Sequence, residues 1–169
     1  MNNMIVTVDG PAGAGKSTIS KIIAGKLDLA YLDTGAMYRA VALEAKRKGV
    51  DIKDGKALDH ICRNIDINFR DGGAISKLYI GEEDVSEEIR RPEMDMLSSL
   101  VSGVKEVRDA MTELQRRIGL TGRLVAEGRE RYGLDILPLA LQDFQAQAEF
   151  QVVTLLDICL LYTSDAADE

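Results

Sequence analysis

The chain carries a single histidine, His60, and only two cysteines, Cys62 and Cys159, whose separation matches no metal-ligand spacing. A zinc site built on histidine or cysteine is thereby excluded. Cys62 falls in an apolar helical stretch and reads as a buried free thiol, which suits a reducing compartment. Cations are scarce as well: 21 Lys and Arg against 28 Asp and Glu give a formal net charge of −7. A protein that coats nucleic acid presents a broad basic surface, so no nucleic-acid partner is expected. A small anionic ligand stays open, because one nucleotide needs only a few local cations and oriented backbone N–H groups. Long apolar runs are missing too. Residues 1–8 have no basic leader and too short an apolar stretch for a signal peptide or a membrane span. The expected setting is the cytoplasm, as a monomer with no membrane partner. No internal repeat or low-complexity tract is evident. What remains is 169 residues, 46% hydrophobic and 29% charged, the balance of one soluble domain with a small insert.

Residues 4–8 (MIVTV) form a short β-branched run that stops at Asp9-Gly10, and an apolar-periodic helix follows from Lys16 to about Leu27. A second run, residues 29–32, ends at Asp33-Thr34-Gly35, and residues 36–48 again read as a helix, closed by Gly49. Such alternation predicts a parallel sheet wrapped by helices, an α/β fold. From about Ile65 the pattern changes. Ile65, Ile67 and Phe69 alternate, Asp71-Gly72-Gly73 punctuates, and residues 77–80 resume as a strand, predicting a small antiparallel insert over residues 63–93. The acidic run Glu82, Glu83, Asp84, Glu87 and Glu88 reads as a solvated loop and helix start. Residues 94–117 carry a 3.6-residue apolar period through Leu97, Leu100, Val101, Val104, Val107, Met111 and Leu114, predicting one long helix. Leu124-Val125-Ala126 is a further strand that ends at Glu127-Gly128-Arg129.

The strongest chemical signal is Gly10-Pro11-Ala12-Gly13-Ala14-Gly15-Lys16-Ser17, which fits G-x-x-x-x-G-K-[ST] between a predicted strand and a predicted helix. The glycines let the backbone curl so that successive N–H groups face phosphate oxygens, and the helix N-terminus adds its dipole. Lys16 would bring a positive charge to the β- and γ-phosphates. Ser17 would offer a hydroxyl to Mg²⁺. A P-loop identifies a nucleoside triphosphate and not a reaction. The absence of N-K-x-D, which would read a guanine base, weighs against a GTPase switch. Arg39, one turn after Asp33-Thr34-Gly35, and Arg129, just after the strand ending at Ala126, favour a kinase whose acceptor is itself a phosphate. Two anions held in line need cationic partners, and the planar guanidinium suits that task. A surface salt bridge is the competing reading of each arginine.

IVTVDGPAGAGKST, YLDTGAMYRAVAL, EDVSEEIRRPE, VRDAMTELQRR and LVAEGR together resemble the bacterial cytidylate kinases, almost continuously over residues 4–129. The resemblance implies a P-loop kinase core over residues 1–129 with an NMP-binding insert, and transfer of the ATP γ-phosphate to CMP or dCMP with Mg²⁺. It places Gly10, Pro11, Ala12, Gly13, Ala14, Gly15, Lys16, Ser17 and Thr18 on the ATP phosphates. Arg39 and Arg129 would hold the acceptor phosphate with Thr34 nearby. Ser99, Arg108 and Glu130 would read cytosine. A carboxylate suits the exocyclic amino group of cytosine and would reject uracil. Lys16, Arg39 and Arg129 are the implied catalytic residues. Glu127, at a strand end, is the candidate for ordering a water on Mg²⁺, with a structural role as the alternative.

After Gly128-Arg129 the family pattern stops. The chain reads Glu130-Arg131-Tyr132-Gly133-Leu134-Asp135, and no Lys or Arg follows Arg131. The lid arginines and ribose contacts of the family are therefore missing. The last eleven residues, CLLYTSDAADE, resemble one frame of a sequencing adapter. Residues 130–169 are accordingly expected to be a non-native tail, and a parallel sheet without its later strands is expected to expose an unpaired edge. Two alternatives to cytidylate transfer stand beside it: another small-molecule P-loop kinase, and a catalytically impaired ATP-binding fragment.

Overall fold

Residues 3–8, 15–70, 77–120, 122–128 and 150–155 are described by the structure, a computed structural model. They fall into two compact units, Met1–Thr34 with Gln115–Glu169, and Gly35–Leu114.

The first unit is built on a sheet of four parallel strands. β1 (Asn3–Val8), β2 (Ala30–Asp33), β6 (Arg123–Glu127) and β7 (Phe150–Leu155) lie in the order β2-β6-β1-β7. β1 and β6 are buried on both faces, with Ile5, Val6, Val8, Leu124, Val125 and Ala126 all at 3% exposure or less. That explains why they read as continuous apolar runs rather than as alternating ones. In register, Val8 and Asp33 both pair with Glu127, so the carboxyl ends of β1, β2 and β6 finish level. β7 runs parallel to β1 along its whole length, from Asn3↔Phe150 to Val8↔Leu155. Among the described residues β2 and β7 are the outer strands of this sheet.

α1 (Lys16–Leu27) packs on this sheet through Ala24 and Ile23, in one cluster with Met4, Val6, Val8, Leu29, Tyr31 and Val125. Gly15 precedes it with φ 76°, a left-handed conformation that glycine adopts without a Cβ penalty. At the other end of α1 the guanidinium of Arg123 donates to the carbonyls of Leu27 and Asp28, satisfying acceptors that the helix leaves unpaired.

The second unit contains most of α2 (Thr34–Arg47) and α5 (Lys105–Gly119), and all of α3 (Gly55–Asn64), α4 (Pro92–Ser102) and the strands β3 (Ile67–Arg70), β4 (Lys77–Ile80) and β5 (Glu83–Asp84). The three strands form an antiparallel sheet in the order β3-β4-β5, inside the segment where an antiparallel insert is expected. Asp54 caps α3 by accepting from the Ala57 N–H at 3.0 Å, and Gly49, at φ 63°, follows α2. A short 3-10 turn, Glu88–Arg90, leads to α4, which opens with Pro92 and carries Glu93 and Asp95 in its first turn, where the helix dipole favours them.

Three expectations change in detail. The second strand spans Ala30–Asp33, and α2 starts two residues early, at Thr34. The single long helix over residues 94–117 is two helices, broken at Gly103 and Val104. The cause is local. Ser102 donates its hydroxyl to the Ser99 carbonyl, glycine is a weak helix former, and Arg108 donates to the Ser102 and Gly103 carbonyls at 3.2 and 2.7 Å. These carbonyls end α4 satisfied by a side chain instead of by the next turn. Glu82, Glu83, Asp84 and Glu87 of the acidic run are exposed as expected and Glu88 is half-buried, and the run is also paired: Arg47 donates to Glu83 and Glu88, and Lys77 to Asp84. Such exposed pairs contribute little each.

Candidate functional site

At the carboxyl edge of the parallel sheet, three elements meet on one carboxylate. Glu127 is the last residue of β6 and is buried at 9% exposure. Ser17, in the first turn of α1, donates its hydroxyl to Glu127 Oε1 at 2.6 Å. Tyr31 of β2 donates a short hydrogen bond to Glu127 Oε2. Thr34 donates its hydroxyl to the Glu127 backbone carbonyl at 2.7 Å. Lys16, the residue before Ser17, is buried at 7% exposure.

The backbone explains this convergence. α1 begins at Lys16, directly after Gly15, and the level ends of β2 and β6 bring Tyr31, Asp33 and Glu127 to its N-terminus. In open parallel sheets the crevice at the carboxyl ends of the strands is where ligands bind. Burial, the neighbouring Asp33 charge and the hydrogen bond to Glu127 together hold the Tyr31 phenol well above its ordinary pKa, and Ser17 opposes them weakly. Tyr31 therefore stays protonated and able to donate at any physiological pH. The Lys21 ammonium sits 5.6 Å from its ring centroid.

A second group lies within the Gly35–Leu114 unit. Arg39 on α2 donates through Nε and Nη2 to Asp95 Oδ1 of α4, at 3.2 and 3.0 Å. Arg108 on α5 engages the end of α4 as described above. Ser99 is half-buried on α4. Tyr38, next to Arg39, is buried, and its hydroxyl has no hydrogen-bond partner among the described residues. Desolvation pushes its phenol up to about 12, with Arg108 opposing and Cys62 adding.

Cys62 is the buried free thiol expected, pushed up to about 12 by burial and by Asp59, against the pull of Arg63. Both groups bind a proton more tightly in the folded than in the unfolded chain. Their contribution to stability is complete below about pH 9 and is lost as pH rises toward 12. Urea unfolding at pH 7, 9 and 10.5 is expected to show a falling midpoint above pH 9, and Cys62→Ser together with Tyr38→Phe is expected to flatten that fall.

Of the sequence candidates, Gly15, Lys16, Ser17, Thr18, Thr34 and Glu127 belong to the first unit, and Lys16, Ser17, Thr34 and Glu127 gather at the strand ends. Arg39, Ser99 and Arg108 belong to the second. Gly10, Pro11, Ala12, Gly13, Ala14, Arg129 and Glu130 lie outside the described residues. Two partners escaped the sequence reading. Tyr31 carried a signal, since it sits two residues before Asp33 and so shares its face of β2. Asp95 carried none beyond its place in the first turn of α4.

Fold and site together define a phosphate-binding-loop protein of the α/β class: a glycine-lysine-serine turn at a helix N-terminus, at the carboxyl edge of a parallel sheet, with an acidic residue closing the adjacent strand. The family model for cytidylate kinase matches residues 6–142, past the point where the sequence resemblance was drawn to stop. The chain belongs to the cytidylate kinase family. Curated relatives include the cytidylate kinase of Clostridioides difficile (strain 630), 45% identical over 77% of this chain and 58% of that protein. The cytidylate kinase of Geobacter sp. (strain M21) is 45% identical over 76% of this chain and 55% of its own length. The bifunctional pantoate ligase/cytidylate kinase of Prochlorococcus marinus (strain MIT 9312) is 44% identical over 79% of this chain and 26% of its own. The chain thus spans little more than half the length of the single-function relatives. No helix among the described residues is long and apolar enough to cross a membrane.

Proposed function

We propose that the chain carries the donor site of a kinase that transfers the ATP γ-phosphate to CMP or dCMP, giving CDP or dCDP in the cytoplasm. The observation that carries the reading is the 2.6 Å contact of Ser17 Oγ with Glu127 Oε1, beside the buried Lys16, at the carboxyl edge of the sheet. A hydroxyl and a carboxylate set side by side are hard oxygen donors of the kind Mg²⁺ takes, one or two from protein and the rest from phosphates and water. The donor set fits that ion: Ser17 would hold it, and Glu127 would order a water on it. When bound, Mg²⁺ neutralises charge on the phosphate oxygens.

Lys16, at the first position of α1, places its charge where the helix N-terminus already favours anions. Thr34 and Tyr31 hold Glu127 by its backbone carbonyl and its carboxylate, so the acid cannot swing away. Arg39, with Arg129, binds the acceptor phosphate in this reading, and Ser99, Arg108 and Glu130 select cytosine. No general base is needed, because the acceptor oxygen is already anionic and catalysis lies in positioning and charge neutralisation.

A second reading is that these 169 residues act as an ATP-binding fragment impaired in transfer, since they span 58% and 55% of the length of the first two relatives. One assay separates the readings. The chain is incubated with ATP, Mg²⁺ and each of CMP, dCMP, UMP and AMP, with ADP release and ATP binding both followed. Release with CMP or dCMP supports transfer to cytidylate. Preference for UMP or AMP overturns the cytosine assignment, and ATP binding without release supports the second reading. Residues from about 130 we propose to be a non-native tail, the first part of which, to residue 142, the family model still matches, and an intact genomic locus encoding them would overturn that.

A further inference from the structure

We propose that Tyr31 is a positioning residue for the metal-side carboxylate, fixing Glu127 so that Oε1 is presented to Ser17 and to the ion that the donor site takes. The proposal rests on the donor-site reading above.

Glu127 has two carboxylate oxygens, and different elements hold them. Oε1 accepts from Ser17 of α1, and Oε2 accepts from Tyr31 of β2. A carboxylate at the end of a strand can rotate about its last two side-chain torsions, and a single hydroxyl contact leaves that rotation open. With Oε2 fixed by a phenol on the neighbouring strand, the plane of the carboxylate is set and Oε1 is left facing α1. The phenol ring is itself packed in place. Tyr31 belongs to the packed cluster under α1, and the Lys21 ammonium lies over its ring at 5.6 Å. β2 and β6 are paired in register from Ala30↔Leu124 to Asp33↔Glu127, so the distance between the two residues is set by the sheet and not by a loop.

Partners that orient a metal ligand from behind typically matter by about 10- to 100-fold in metal affinity, although they never touch the ion. A structural role for Tyr31 makes a different prediction. If the phenol only seals the sheet, its loss weakens the fold and affects ATP binding with and without the ion alike.

Tyr31→Phe keeps the ring, its packing and the Lys21 contact, and deletes only the hydroxyl. ATP affinity of the full chain is measured by calorimetry in the presence of Mg²⁺ and in the presence of a chelator, alongside the thermal midpoint. The expected result is a roughly tenfold loss of affinity for ATP with Mg²⁺, an unchanged affinity for ATP alone, and a midpoint close to that of the parent chain. Glu127→Gln is expected to lose the same metal dependence, and Tyr31→Phe added to it is expected to cause no further loss, because the two act through one carboxylate. Equal weakening with and without Mg²⁺, or no weakening in either, overturns the proposal while leaving the donor site in place. Failure of the parent chain to bind ATP at all overturns both.

Discussion

Lys16→Met is expected to lower ATP affinity by about 10- to 100-fold and, wherever the chain turns over, to lower kcat by a further 10²- to 10³-fold. The first figure follows from about 1.5–3 kcal/mol for a hydrogen bond to a charged group, at 1.4 kcal/mol per tenfold. The second is the usual loss when one preorganised donor is withdrawn from charge that develops in the transition state. Methionine keeps the unbranched stem that buries Lys16 to 7% exposure, so the fold is expected to survive. Calorimetric titration with ATP and single-turnover release of ADP read the two effects separately. Lys26, exposed in the last turn of α1, is the control, and Lys26→Met is expected to leave affinity within about twofold. If Lys16→Met and Lys26→Met bind ATP equally well, Lys16 is a packing residue and the phosphate site lies elsewhere.

The donor half of the site could be read from the chain because its chemistry is local. Gly15, Lys16 and Ser17 are consecutive, and the strand before them and the helix after them each follow from ten or so residues of pattern. Tyr31 and Glu127 are 96 positions apart, and only the register of β2 on β6 brings them together. A one-residue slip in that register would turn Tyr31 to the other face of the sheet. The break between α4 and α5 was hidden for the opposite reason. The apolar period runs on through Leu97, Leu100, Val101, Val104 and Val107, and a period reports where hydrophobic residues recur, not whether the backbone between them is continuous. Leu100 fits that period and is 52% exposed all the same. What ended the helix was Arg108 donating to carbonyls five and six residues earlier, an interaction that hydropathy does not record. The pairing of Arg39 with Asp95 was equally out of reach, since it joins side chains 56 positions apart. β7 pairs with β1 from the far end of the chain, which no local pattern at residues 150–155 could announce.

The order of strands gives the second large expectation. β6 lies between β1 and β2, and Leu124 sits in register with Ile5 on one side and Ala30 on the other, at 1% exposure. Leu124→Ala removes apolar volume from a position with paired strands on both flanks, where little can move in to fill the gap. The expected cost is about 3 kcal/mol, within the range found for buried leucines, and roughly 6–12 °C in the thermal midpoint of a chain this size. Leu120→Ala, four residues earlier and 63% exposed, is expected to change stability by less than about 0.5 kcal/mol. The pair isolates burial from residue type, since both substitutions delete the same atoms. Glu127 ends the same strand, so Leu124→Ala is also expected to weaken ATP binding in the presence of Mg²⁺ near its lowered midpoint, and to recover it on cooling as the strand is again fully populated. Urea unfolding of the two variants, followed by far-UV circular dichroism, is the measurement. Equal stability of Leu124→Ala and Leu120→Ala would mean that β6 is not an inner strand flanked on both sides, and the alignment of Val8, Asp33 and Glu127 on which the donor site is built would fall with it.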